Sequence, residues 1–357
     1  MNFALSPRAL PIIAAGGFLG CGIGLLIDPK TALASYLAVW FAASSVPIGA
    51  LAVLFTSYLV RAGWTHELHA PLTGAALTMP LVAMLFVPVI FGMGEIYPWV
   101  SAPDKLPAFK AAYFAPWFFV LRAIFYFSIW TLLAVWVARA YGDEAAMVRC
   151  ASAGLIVWAL TSSWSGIDWL ESVEPHFHSS IYGLFAIDFQ LLAGLAFGLV
   201  TLFTLRPGRQ MSNAAYAGTL LSVLLLWAYM HAMQYIIIWT GNIPDEVIWY
   251  LKRLDGGWTV ALWALYILQF VGPFFALLSE KVRTSSEWLL GLAALTLALR
   301  VLEAVVFVLP PLGIEPLALL LDLPAALCAI GASLLMGWRV AHPLWERWSG
   351  RAAAAHP

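Results

Sequence analysis

Ten apolar runs, each long enough to cross a bilayer, occupy most of the chain: roughly 9–27, 33–60, 71–94, 111–138, 147–167, 180–204, 213–240, 258–280, 286–309 and 316–340. A helix needs about 20 mostly apolar residues to traverse the hydrocarbon core. Backbone groups in lipid must also find their hydrogen bonds internally, so the runs read as helices. They predict an all-α integral membrane protein with about ten transmembrane helices. The organisation is a single polytopic domain over residues 1–357, ending in a short tail at 341–357 that frays after Arg351.

Composition removes the soluble alternatives. Of 357 residues, 62% are apolar and 10% charged, against about 25% charged in a soluble domain. A soluble fold of this length has no means of hiding so much apolar surface. The net charge of −1 offers no basic surface for nucleic acid. Cys21, Cys150 and Cys328 are far apart and no CxxC occurs, so neither a disulfide framework, iron–sulfur ligation nor c-type haem attachment is indicated. No basic segment with a small-residue cleavage site opens the chain, so the first run is expected to be retained. Prolines 47, 80, 88, 116, 273 and 324 predict kinks, and Gly16, Gly17, Gly20 and Gly24 predict a close helix or subunit contact.

Orientation follows from the basic residues. Arg8, Arg61, Arg139, Arg149, Arg206, Arg209, Lys281, Arg283, Arg339, Arg347 and Arg351 fall on the face that holds both termini. Only Lys30, Lys105, Lys110, Lys252 and Arg253 fall on the other, which also carries Asp168, Glu171, Glu174, Asp245, Glu246 and Asp255. Both termini are therefore expected in the cytoplasm.

Six ionisable residues lie within the runs: Arg122, Asp188, His231, Arg300, Glu303 and Asp322. At 1.5 Å rise per residue, each is about 9–16 Å from the outer end of its span, and none occupies the inner half. An ionisable group at depth is costly unless paired or hydrated, which makes each a functional candidate. Arg300 and Glu303, one turn apart, fit a simple ion pair. The set as a whole fits a hydrated cavity or proton path.

The loop after the fifth run adds Asp168, His176 and His178 among aromatic residues. It reads as an interfacial anchor, as a weak HxH metal motif, or as a site edge where Asp168 and His176 exchange protons with a headgroup. A b-type haem is excluded, because His231 alone of seven histidines lies well inside a run. No phosphate-binding or dinucleotide motif occurs.

Several segments occur together in order: Arg61–Trp64, Pro80–Gly92, Tyr97–Trp99, Leu121–Trp130, Asp168–Trp169, Glu174–Phe177, Ser180–Gly183, Gln234–Trp239 and Asn242–Tyr250. Over residues 40 to 310 the chain resembles the ActF-type quinone-binding subunit 2 of quinol:cytochrome c oxidoreductase, the alternative complex III. That family is related to the NrfD and polysulfide-reductase membrane subunits. The resemblance implies two four-helix bundles plus flanking helices in a bacterial inner membrane. It also implies partners: an NrfD-like paralogue, a multihaem cytochrome c and an iron–sulfur protein.

The resulting expectation is a subunit of a quinol-oxidising complex with no metal or redox centre of its own. A quinone, menaquinone or ubiquinone, is its implied exchangeable ligand. Asp168, His176 and His231 are the candidates for quinol or proton exchange. Asp188, Glu303 and Asp322 are candidate relay carboxylates, with Arg122 and Arg300 tuning their charge. A proton-translocating subunit without quinone and a passive scaffold for peripheral redox subunits remain the alternatives.

Overall fold

Helix starts and breaks follow local capping and proline chemistry. The computed structural model describes residues 8–60, 66–102, 108–205 and 212–355. The Arg61–Trp64 segment, Lys105, Arg206 and Arg209 lie outside the described residues, as do the side chains of Arg347 and Arg351. Among the described residues, ten helices are long and apolar enough to cross a membrane: Ala9–Ile27, Pro29–Val60, His66–Phe91, Pro116–Ala140, Glu144–Val173, Tyr182–Leu205, Asn213–Gly241, Trp258–Leu278, Ser286–Leu312 and Pro316–Glu346. No strand occurs among the described residues.

The second span starts earlier than the apolar run because Asp28 caps it. Its carboxylate accepts hydrogen bonds from the Lys30 and Thr31 backbone N–H groups and, at 2.6 Å, from the Thr31 hydroxyl. That hydroxyl bond holds the Asp28 carboxyl below its usual range. The third span begins at His66 and breaks before Met79 and Val87, where Pro80 and Pro88 open short helical segments. Proline lacks the N–H that would continue the preceding ladder. Pro116 starts the fourth span rather than kinking it, and Pro47 sits within an unbroken second span. Pro273 follows a π-turn at Ile267–Val271, and Pro324 precedes another at Leu327–Gly331. The last described helix runs to Ala355.

The second and sixth spans form the central pair. The second through fifth spans make one four-helix group and the sixth through ninth make another, with the first and tenth packed on the outside. The central pair approaches closely through Gly49 and Gly194: a Cβ on Gly49 would overlap the Gln190 carbonyl, and one on Gly194 would overlap the Gly49 backbone. Gly17 of the first span meets the Ala325 and Ala329 backbone in the same way, so the expected glycine contact is made within the chain, on the tenth span.

An even number of spans places both described ends on one face, here termed terminal; the other is distal. A short amphipathic helix, Pro244–Arg253, lies between the seventh and eighth spans on the distal side. Gly194→Val should force the central helices apart, costing about 1–3 kcal/mol by overpacking. The measurement is the midpoint of denaturant unfolding in detergent micelles, which should fall.

Candidate functional site

Each four-helix group buries one arginine, and the two arginines differ in how they are satisfied. In the first group, Arg122 of the fourth span faces Asp168 near the end of the fifth. Arg122 Nε donates to Asp168 Oδ2 at 2.8 Å and Nη2 to Oδ1 at 2.9 Å, a bidentate pair. Its remaining nitrogen, Nη1, donates to the Tyr113 carbonyl at 2.6 Å. The Tyr126 hydroxyl adds a third bond to Asp168, at 2.7 Å. The guanidinium also lies 4.0 Å from the Tyr113 ring centroid. Every nitrogen of Arg122 and both oxygens of Asp168 are occupied. Asp168 thus ties the fourth span to the fifth.

In the second group, Asp188 of the sixth span, His231 of the seventh, and Arg300 and Glu303 of the ninth converge. Arg300 pairs with Glu303 across one helical turn, and Asp188 lies within electrostatic reach of both. All four are buried; Arg300 and Glu303 are each 1% exposed. Unlike Arg122, Arg300 has no nitrogen in a well-formed hydrogen bond, and Asp188 Oδ1 has no donor among the described residues. Arg300 instead lies over the Phe189 ring at 5.0 Å and Trp227 at 5.9 Å. Unpaired polar atoms in such a place demand water, a proton or a ligand.

The proton positions at His231 follow from its neighbours. Nδ1 is 2.9 Å from the Trp227 carbonyl, an acceptor, so Nδ1 carries a hydrogen. Nε2 then faces Glu303 Oε1 at 3.3 Å. An imidazole lone pair and a carboxylate are both acceptors, so a shared proton is required for attraction. In this His231–Glu303 dyad, Nε2 makes no well-formed hydrogen bond among the described residues. The Trp227 indole donates to the same Oε1 at 3.0 Å. Trp227 therefore orients both partners, one through its carbonyl and the other through its indole. Sequence reading passed over this residue, although its i,i+4 spacing to His231 places the two on one helix face.

Aromatic side chains enclose the dyad. Phe185 and Tyr266 stand edge-on to the His231 ring at 4.6 and 5.6 Å, and Phe307 stacks at 6.4 Å. On the distal side Phe307 meets Trp249, which meets Phe177. Arg253 locks this roof. It donates to the Val306, Phe307 and Trp249 carbonyls and to Glu174, and it stacks 3.7 Å from the Trp249 ring centroid. A cation on the last carbonyls of a helix also complements its dipole. Complete burial draws the Arg253 guanidinium below its usual range, and Glu174 opposes that shift. Lys252 completes the pairing with Glu174 at 2.9 Å. Arg253 and Glu174 were read only as loop charges; the acidic start and basic end of the Pro244–Arg253 segment mark it as a capped helix.

The remaining candidates lie elsewhere. His176 is exposed and lines a distal cleft of about 380 Å³ with Glu174, Asp245 and Lys252. Asp322 packs over Gly24 where the tenth span meets the first, and Oδ1 has no partner among the described residues. The six buried ionisable groups thus form separate sites rather than one cavity. His69 adds a polar group on the terminal side that the sequence boundaries placed outside a span. It contacts the Tyr58 hydroxyl and stacks near Tyr141 and Trp345. No group of three or more metal-ligand residues occurs among the described residues.

Breaking the Arg122–Asp168 pair by Asp168→Asn or Arg122→Gln should each cost about 3–5 kcal/mol. In a double-mutant cycle the combined loss should fall short of the sum, as read from thermal unfolding. In comparisons with known proteins, no family model and no curated protein matches the chain, so the geometry itself carries the functional argument.

Proposed function

We infer that this chain is the membrane subunit of a respiratory quinol:cytochrome c oxidoreductase of the alternative complex III type, and that its part is to handle protons. The observation that carries this reading is the Asp188, His231, Arg300 and Glu303 cluster, with an imidazole facing a carboxylate and unpaired polar atoms around them. Quinol oxidation releases two electrons and two protons. Electrons would leave through cofactors on partner subunits, a multihaem cytochrome c and an iron–sulfur protein, while an acid–base cluster in this chain takes the protons. The excess of basic residues on the terminal face supports placing that face in the cytoplasm of a bacterial inner membrane. The distal face is then periplasmic, and His176 in the distal cleft stands where released protons reach water.

A closer role, holding the quinol headgroup itself, is favoured by one further observation. Tyr266 is half-buried, and its ring stands edge-on to His231 from the eighth span. A menaquinol or ubiquinol displacing that ring would present its hydroxyl to the dyad. Either role uses the same residues.

The test is the turnover of the complex that co-purifies with this chain in mild detergent. Glu303→Gln and His231→Phe should lower quinol:cytochrome c activity by about 10²-fold or more, the scale of a lost acid–base step, with the partner subunits still bound. Asp188→Asn should lower it too. Full activity in an assembled Glu303→Gln complex would contradict the assignment.

A further inference from the structure

A large cleft lies away from these charges, on the terminal half of the molecule between the third, fourth and tenth spans. It measures about 840 Å³, within the range of about 300–1,000 Å³ typical of ligand sites. Leu81, Val135, Met336 and Val340 supply apolar walls. Two hydroxyls reach the lining, but each is satisfied within its own helix: Thr78 donates to the Ala75 carbonyl and Ser333 to the Ala329 carbonyl. The walls therefore favour a hydrocarbon occupant.

The mouth of the cleft differs. Arg139, in the last turn of the fourth span, is exposed and forms no ion pair or hydrogen bond among the described residues. Trp345 is 5% exposed, yet its indole Nε1–H has no acceptor among the described residues. Its ring is fixed against His69 and Tyr141. A free cation and a fixed, unpartnered donor thus sit together at the terminal end of an apolar channel. From Ser333 to Leu344 the channel follows the tenth span for about 17 Å at 1.5 Å per residue. That is close to one leaflet, half of a hydrocarbon core of about 30 Å.

We propose that this cleft is a binding site for an anionic phospholipid, with acyl chain between the fourth and tenth spans and phosphate on Arg139. The depth matches a lipid chain entering from the terminal face, and the lone cation selects negative headgroups. The inference is independent of the respiratory reading, because it uses none of the residues around His231.

Native mass spectrometry of the delipidated protein, titrated with phosphatidylglycerol or phosphatidylcholine, tests it. Wild type should retain phosphatidylglycerol about fivefold better, the scale of one basic residue near a membrane surface. Arg139→Gln should abolish the preference and Arg139→Lys should keep it. Circular dichroism checks that each variant is folded, and the Lys variant separates charge loss from damage to the helix. Equal retention of both lipids by wild type, a preference that survives Arg139→Gln, retention of a quinone in their place, or no lipid at all would each overturn the proposal.

Discussion

The close approach of the second and sixth spans is the constraint on which the rest of the molecule depends. In lipid no hydrophobic driving force holds helices together, so association rests on van der Waals contact, which deepens as side chains shrink. Gly49 and Gly194 bring the two backbones into direct contact. Each helix of this pair then serves as the inner wall of one four-helix group. The second span brings the aromatic cluster of Trp40 against Phe86, Phe127 and Trp169; the sixth brings Asp188 and Phe185 to the His231 site. Separating the pair would open both interiors at once.

The two arginines buried within membrane spans show how similar groups acquire different uses. Arg122 meets an acceptor at each nitrogen, so its desolvation is offset by directed bonds and the pair ties the fourth span to the fifth. Such a pair contributes definition more than net stability. Arg300 meets Glu303 from the same helix, a pairing that joins no two spans, and retains unsatisfied N–H groups. A guanidinium left in that condition is poorly explained by architecture. Its proximity to two carboxyls and an imidazole gives it an electrostatic use instead, balancing negative charge beside His231 and Glu303.

Spans, composition class and the helical fold were legible in the sequence because hydropathy over about 20 residues is a strong signal. The departures came from local chemistry that hydropathy does not weigh. Asp28 lengthens the second span by capping it, and Pro116 begins a helix where a kink was expected. The buried charges were also legible one by one, and Arg300 with Glu303 was legible as a pair from its spacing. Their grouping was not. Depth along a span says nothing of azimuth, so Arg122, Asp188 and Asp322 read as neighbours although they belong to different helix contacts. Trp227 and Arg253 escaped notice for a related reason: each acts through backbone carbonyls, His231 bonding to one and Arg253 to three.

The roof over the dyad gives the site a direction. A proton on His231 or Glu303 is separated from the distal water by Phe307, Trp249 and Phe177, apolar rings that exclude solvent, and by Arg253, whose positive charge repels a proton. Glu174 lies at the one place where this barrier changes sign. It pairs with Arg253 on the buried side and with Lys252 on the other, and it also lines the distal cleft beside His176. Between the dyad and the cleft, its carboxylate is the acceptor built into the roof itself. A roof of apolar residues alone would hold no charge, whereas this one is tied down by a carboxylate shared between two cations. Under the proposed function, the same contacts that seal the second four-helix group also define where its protons leave.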